Sequence, residues 1–399
     1  MNIGIVTTWF ERGASYVSLQ YANILKENNS VFIYARGGYD SNYHNEFNVT
    51  VDENHNLVVK SALNTTQFES WIRTNKITHI LFNEQFWWEP VLIAKSLDVS
   101  CSSYIDYYTH ETVNLFQIFD TVFCNTKRHF SVFESYSNAI YIPWGTDCSI
   151  FNSESKTTND NLNFFHSAGW SPIRKGTDLL IEAAYLIDKP FKLIIHSQGN
   201  ILSLLPKLSL KIKKLIESQK LVIIEDTVKA PGLYHLGDIY VYPTRLEGIG
   251  LTIAEAMSCG LPTIVPNNSP MIEFVLDETC KKVSIDNFIT RDDNYYWDMC
   301  EVSINDLKLA MEYYIDNKSE ISYLSNKTRD YALKNLEWRK NAAQLPQYFI
   351  EMNNKLLDKN LINKAKSFDK KIMKFSFIYT ISPTLYKFLV KIYMQFIKK

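Results

Sequence analysis

Short apolar runs alternate along this chain with longer stretches in which apolar residues return every three to four positions. The first kind has the length of a buried strand, the second the period of a helix with one buried face. In the first half the strand-like runs cover 3–7, 31–35, 80–83, 102–105, 121–124 and 139–142, with helix-like segments at 17–27, 89–96 and 127–136. A second series follows, with strands at 163–167, 192–196, 221–225, 239–242 and 263–265 and helices at 178–186, 201–217 and 251–258. Strand and helix in alternation predict parallel sheets covered on both faces. Between the series lies the polar stretch 152–160, which reads as a linker. The pattern therefore predicts an α/β protein of two Rossmann-like domains, residues 1–150 and 151–335, with a ligand cleft between them. Segment 336–360 is expected to return as a helix to the first domain, with Trp338 pinning the crossover.

Length agrees, since 399 residues exceed what one core usually serves. A hydrophobic content of 46% and a charged content of 21% describe an ordinary globular chain. The formal net charge of −1 gives no general pull toward nucleic acid. That near-neutrality conceals an uneven distribution: residues 361–399 hold nine Lys and one Asp, a local +8 against −9 for the rest. Within that tail Leu385, Phe388, Leu389, Ile392 and Phe396 share one helical face, with Lys387, Lys391 and Lys398 on the other. Upstream of Ser382-Pro383, Phe368, Ile372, Phe375 and Tyr379 repeat the pattern beside Lys370, Lys371 and Lys374. A basic amphipathic segment with aromatic anchors predicts contact with an anionic membrane surface; packing on its own domain is the alternative. Six cysteines show no metal-ligand spacing and read as small buried hydrophobes. No export signal or 18-residue apolar span is evident, so the expectation is a cytoplasmic protein, peripheral on the cytoplasmic membrane.

The chemistry concentrates in residues 243–260, where an apolar strand runs into Glu247-Gly248-Ile249-Gly250 and a helix opens at Leu251. Gly248 and Gly250 let backbone approach a ligand, and the helix N-terminus favours an anion there. Glu247 and Glu255, eight positions apart, would repel a bare phosphate but pair well with hydroxyls. The combination suits a ribose and a sugar on either side of a diphosphate. Upstream, Arg174-Lys175-Gly176 ends a loop before a helix that Thr177 or Asp178 would cap, placing two cations where they reach an anion. After the first strand, Gly13 opens a comparable turn. No Asp-x-Asp pair ends a strand, and Asp292-Asp293 and Glu225-Asp226 read as loop charges. With Lys175, Arg174 and a helix N-terminus to neutralise a leaving group, neither metal nor cofactor is expected.

The run from Glu247 to Glu255 resembles the E-x7-E element of retaining glycosyltransferase family 4, whose fold is GT-B. Resemblance spans roughly residues 1–360 and is strongest over 164–274. It implies that Glu255 holds the nucleotide ribose, that Glu247 lies beside the transferred sugar, and that Lys175 grips the donor diphosphate. Where the family carries a second basic residue, this chain has Trp170, so either Arg174 supplies the charge or the loop has a different shape. Gly13 falls at the family's Gly-rich loop. Asp106 and His110 fall near its His-Asp pair, in altered order, and Asn267 to Glu273 replace its Gly-Gly-x-Pro-Glu turn. By resemblance the catalytic candidates are Glu247, Lys175 and Asp106, and Glu255, Lys175, Arg174, Gly13, Gly248, Gly250 and Leu251 bind the donor. The implied activity moves a hexose from a nucleotide-sugar to a glycan or lipid-linked acceptor with retention, in surface-glycan synthesis. Two readings compete with it. A nicotinamide dehydrogenase fails for want of G-x-G-x-x-G after the first strand, whereas a non-catalytic GT-B subunit stabilising a partner transferase stays open.

Overall fold

The computed structural model describes residues 1–53, 61–152 and 161–373, together with Ser382. Two compact units result, one from residues 1–125, 129–141 and the described residues from Ala343 onward, the other from 126–128 and 142–342.

The first unit is built on seven strands, β1 (Asn2–Trp9), β2 (Ser30–Tyr39), β3 (Asn48–Val51), β4 (His79–Phe82), β5 (Ser100–Tyr104), β6 (Thr121–Cys124) and β7 (Ala139–Tyr141). All pair in parallel, in the order β3-β2-β1-β4-β5-β6-β7. Burial on both faces explains the near-continuous apolar runs of β1 and β4. β5 reads Ser-Cys-Ser-Ser-Tyr and is buried nonetheless, because Ser102 and Ser103 donate to the carbonyls of Ile80 and Phe82 at 3.2 and 3.1 Å. Helices α1 (Gly13–Leu25), α2 (Thr65–Thr74), α3 (Glu89–Ser96) and α4 (Lys127–Phe133) punctuate the series. Neither β3 nor α2 is evident from pattern: the strand is four residues at a sheet edge, and α2 carries few apolar residues.

The second unit holds β8 (Asn163–Gly169), β9 (Lys192–Ser197), β10 (Leu221–Glu225), β11 (Ile239–Val241), β12 (Thr263–Pro266) and β13 (Cys280–Val283), parallel in the order β10-β9-β8-β11-β12-β13. Its core joins Phe164, Leu193, Ile195, Ile239 and Ile264 of the sheet to Leu180 and Ile181 of α5 (Thr177–Tyr185). The helix expected over 201–217 is instead α6 (Ile201–Leu204), a 3-10 turn from Pro206, and α7 (Ser209–Glu217). Pro206 lacks the amide that a continuous helix needs. α8 (Leu251–Ser258) follows β11, and an antiparallel ribbon, β14 (Ile285–Ile289) and β15 (Met299–Val302), precedes α9 (Ile304–Asp316) and α10 (Ile321–Asn335).

The return segment is not one helix but two, α11 (Trp338–Asn341) and α12 (Leu345–Glu351), again divided at a proline, Pro346. Trp338 packs on Trp144 with ring centroids 4.7 Å apart, both within the second unit. Phe349 of α12 stacks on Phe123 of β6 within the first unit, at 5.8 Å. Last comes α13 (Lys359–Met373), whose Asp369 accepts from the Trp88 and Glu89 amides, at 3.0 and 2.9 Å, and so caps α3. The first half of the basic tail is thus docked on the first unit, with Lys364, Lys366 and Lys370 outward. The predicted linker beyond Asn152 and the apolar face from Phe375 to Phe396 lie outside the described residues. All six cysteines are buried and none is in a disulfide, and no described helix is long and apolar enough to cross a membrane.

Candidate functional site

In the second unit strand order reverses between β8 and β11, and the loops leaving their carboxyl ends therefore emerge side by side. A parallel sheet offers its ligand crevice at such a switch point. The loop after β8 carries Trp170 to Gly176; the loop after β11 carries Tyr242 to Gly250. They are stitched together by backbone. Arg245 N donates to Arg174 O at 2.8 Å, and Thr244 Oγ1 donates to the same carbonyl at 3.1 Å. Gly176 has φ +70° and precedes α5 as its N-cap, in the place expected for Thr177 or Asp178; a Cβ there would lie 1.9 Å from Pro243 O. Only a glycine lets the loops approach so closely.

Inside this seam, four donors converge on one carboxylate oxygen. Glu247 Oε1 accepts from Thr244 Oγ1 at 2.7 Å, Lys175 Nζ at 2.8 Å, Tyr242 OH at 2.9 Å and Arg174 Nη1 at 3.1 Å. Burial alone would raise the Glu247 pKa, but the adjacent Lys175 and Arg174 charges overcome that and hold it down at about 2. Lys175 is pulled down to about 8 by burial and by Arg174, against the pull of Glu247, and stays largely protonated at neutral pH. Two cations against one carboxylate leave the seam net positive. Arg174, rather than the 71% exposed Trp170, brings the second charge to Glu247.

Gly250, at φ +88°, turns the chain into α8, whose first turn has no side-chain cap. Its leading amides are thereby presented at the same strand ends, with Leu251 as the first helical residue and Gly248 two residues before the turn. One turn further, Glu255 accepts from Tyr234 OH at 2.6 Å, and burial lifts its carboxyl to about 7 although Tyr234 and Lys175 pull the other way. The structure thus joins Lys175, Arg174 and Glu247 directly and sets Glu255 within reach of the Lys175 field. Asp106 and Gly13 belong to the first unit, after β5 and at the start of α1 respectively; His110 there is exposed.

Sequence reasoning missed several supports. Arg245 is buried and forks onto Asp178 at 2.7 and 2.8 Å while reaching Glu301 at 3.0 Å, tying α5, the motif loop and β15 together. His166 is fully buried, between Val241 O and Thr177 Oγ1 at 2.8 Å each, with its pKa lowered to about 4 by burial. Tyr242 and Thr244 flank the motif and were findable from their place at a strand end; Tyr234, 21 residues before Glu255, left no local signal.

Residues 162–291 match the family described as glycosyl transferases group 1. A segment of 47 residues is 47% identical to O-antigen chain mannosyltransferase B of Escherichia coli, covering 12% of each protein. Among solved structures, a sucrose-phosphate synthase from Thermosynechococcus elongatus superposes with TM-score 0.68 at 14% identity, over 88% of this chain and 98% of that one. Anabaena HepE in complex with UDP and glucose gives TM-score 0.67 at 13% identity, over 88% and 99%. WaaG, a glycosyltransferase involved in lipopolysaccharide biosynthesis, gives TM-score 0.62 at 13% identity, over 86% and 99%.

Proposed function

From a chain that has the GT-B fold and carries a glycosyl transferases group 1 region at residues 162–291, we propose an enzyme that moves a hexose from a nucleotide-sugar to a glycan or lipid-linked acceptor, retaining the anomeric configuration. The observation that carries the reading is the convergence of Lys175 and Arg174 on Glu247, beside the uncapped N-terminus of α8. In the reaction the bond from the anomeric carbon to the diphosphate breaks as one to an acceptor hydroxyl forms on the same face, and the hydroxyl's proton passes to the departing diphosphate oxygen. Charge accumulates on the departing diphosphate. Groups already fixed in place stabilise it better than mobile water, because they need no reorganisation. Lys175, Arg174 and the α8 amides fill that role, and Glu247 keeps both cations in register until the donor arrives. The same groups neutralise the leaving diphosphate, so the proposal calls for no metal. Glu255, once ionised, accepts from the ribose hydroxyls. The kinship of a short segment with an O-antigen mannosyltransferase and the fold shared with WaaG favour surface-glycan synthesis as the setting. There the basic tail would hold the enzyme at an anionic cytoplasmic membrane.

UDP and UDP-glucose serve as first probes, since HepE is known with UDP and glucose. Replacing Glu255 by Ala is expected to weaken nucleotide binding about tenfold to a hundredfold, the loss of a charged hydrogen-bond partner. In the unsubstituted chain affinity should rise from pH 6 as Glu255 ionises through about 7 and fall again as Lys175 loses its proton through about 8; Glu255→Gln should flatten the rise and leave the fall. Donor affinity indifferent to both substitutions would sink the assignment. NMR of the product's anomeric proton decides retention.

A further inference from the structure

Glu255 is half-buried in the second turn of α8, and one of its two carboxylate oxygens is already engaged. Tyr234 OH donates to Oε2 at 2.6 Å, within the range of about 2.5–2.7 Å that marks a hydroxyl bonded to an ionised carboxylate. The tyrosine comes from a 3-10 turn, Tyr234–Leu236, in the connection between β10 and β11. Two bonds tie that connection to the start of β8: Asp238 N donates to Asn163 O, and Asn163 N to Asp238 Oδ2, at 2.8 Å each. The Tyr234 ring is 6% exposed and packs edge to face on three others, Phe165 of β8 at 5.5 Å, Tyr240 of β11 at 5.8 Å and Phe151 at 6.1 Å. Packed on three sides, it holds its hydroxyl at Glu255 before any ligand arrives. Tyr240 in turn stacks on Tyr242 at 5.3 Å, whose hydroxyl holds Glu247. Both glutamates of the motif are therefore fixed by one continuous set of tyrosine rings.

A glutamate has three rotatable side-chain bonds, and a free one must be ordered when it grips a ligand, which lowers affinity. Tyr234 makes that ordering part of the fold. With Oε2 engaged, Glu255 has Oε1 to offer a diol. Building on the donor reading above, we propose that Tyr234 is a positioning residue of that site: its hydroxyl fixes the Glu255 carboxylate in the orientation that accepts from the ribose hydroxyls, and so sets how strongly the site selects for them. Electrostatics works in the same direction. Facing Glu255 are Tyr234, Lys175 from the loop after β8 and Tyr240 from β11, while Arg329 of α10 lies at the far end of α8, on Ser258. Burial raises the Glu255 carboxyl to about 7 against the pull of Tyr234 and of Lys175. Without the tyrosine hydroxyl the carboxyl rises further, and binding that needs the carboxylate begins at higher pH.

Tyr234→Phe keeps the ring packing and removes only the hydroxyl. The probes are UDP and GDP, with the 2′,3′-dideoxy counterpart of whichever binds more tightly, titrated into the full chain across pH 6 to pH 8. Tyr234→Phe is expected to weaken the nucleotide about tenfold, the loss of one hydrogen bond to a charged group. The dideoxy counterpart, which has no ribose hydroxyls to pair, should bind the variant as it binds the parent; that binding also shows the variant to be folded. Preference for the ribonucleotide should therefore shrink by the same factor, and the rise in affinity should move to higher pH. Unchanged affinity and pH profile in Tyr234→Phe would overturn the inference. So would equal losses for the nucleotide and its dideoxy counterpart, the mark of a structural role. A nucleotide that loses affinity in Glu255→Ala but not in Tyr234→Phe leaves the donor reading intact and removes Tyr234 alone. A parent chain that binds neither UDP nor GDP removes both.

Discussion

Gly176 shows how much a single position contributes to the charged seam. With φ +70° and Pro243 O in the space of a Cβ, an alanine must both adopt a left-handed backbone and force two loops apart. The first costs about 1–2 kcal/mol and the second about 1–3 kcal/mol, so Gly176→Ala should destabilise the second unit by about 2–5 kcal/mol. It should also separate Lys175 from Glu247; denaturant unfolding and UDP affinity would both register the change. A variant as stable and as tightly binding as the parent would contradict the close approach. The Lys-Gly pair was legible in the sequence as a basic turn before a helix. Its reason was not, because Pro243 is 67 residues further along the chain and nothing local reports the contact.

At the scale of elements, α3 and α13 depend on each other. Asp369 holds the two leading amides of α3, one from buried Trp88, and α13 has only Ala365 and Asp369 fully buried. Its apolar side chains, Leu361, Ile362, Phe368 and Ile372, are only half-buried. Asp369→Ala would leave those amides unpaired and cost about 1–3 kcal/mol. The expected reading is faster hydrogen exchange along 359–373 and at the start of α3, with the second unit unaffected; exchange unchanged in α13 would show that the cap does not hold it. Periodicity located α1, α3, α4, α5 and α8, left α9 and α10 unread, and misjudged the helices where proline intervenes. Pro206 and Pro346 each sit inside an apolar-periodic stretch that hydrophobic spacing alone reads as continuous.

For the whole molecule, the charge asymmetry now has a physical division point. Docking of α13 keeps residues to Met373 with the first unit, so a chain ending at Asn360 would also lose the cap on α3. A chain ending at Met373 is the cleaner comparison, since it preserves α13 and removes Lys374, Lys387, Lys391, Lys398 and Lys399 with the apolar face between them. On anionic vesicles at low salt the full chain should pellet and the shortened one largely remain in solution, each lysine adding about 1 kcal/mol near such a surface. Equal pelleting would move any membrane contact to the folded units.

Strand and helix in alternation, two sheets, and a Gly-x-Gly turn before α8 followed from the sequence alone. Each is set by local steric rules and by the period with which apolar side chains must face a core. So did the placing of the two glutamates, which are close enough in sequence for a strand-turn-helix geometry to set them. What needed the tertiary structure was every contact made across the sheet order. Glu247 owes its ionisation to Lys175 and Arg174, 72 and 73 residues away, and Glu255 its altered acidity to burial. Asp106 shares a hydrogen bond with Glu84 only because β4 and β5 lie adjacent. Chain order determines which elements form, but electrostatics decays with distance in space, and that distance exists only once the sheets have closed.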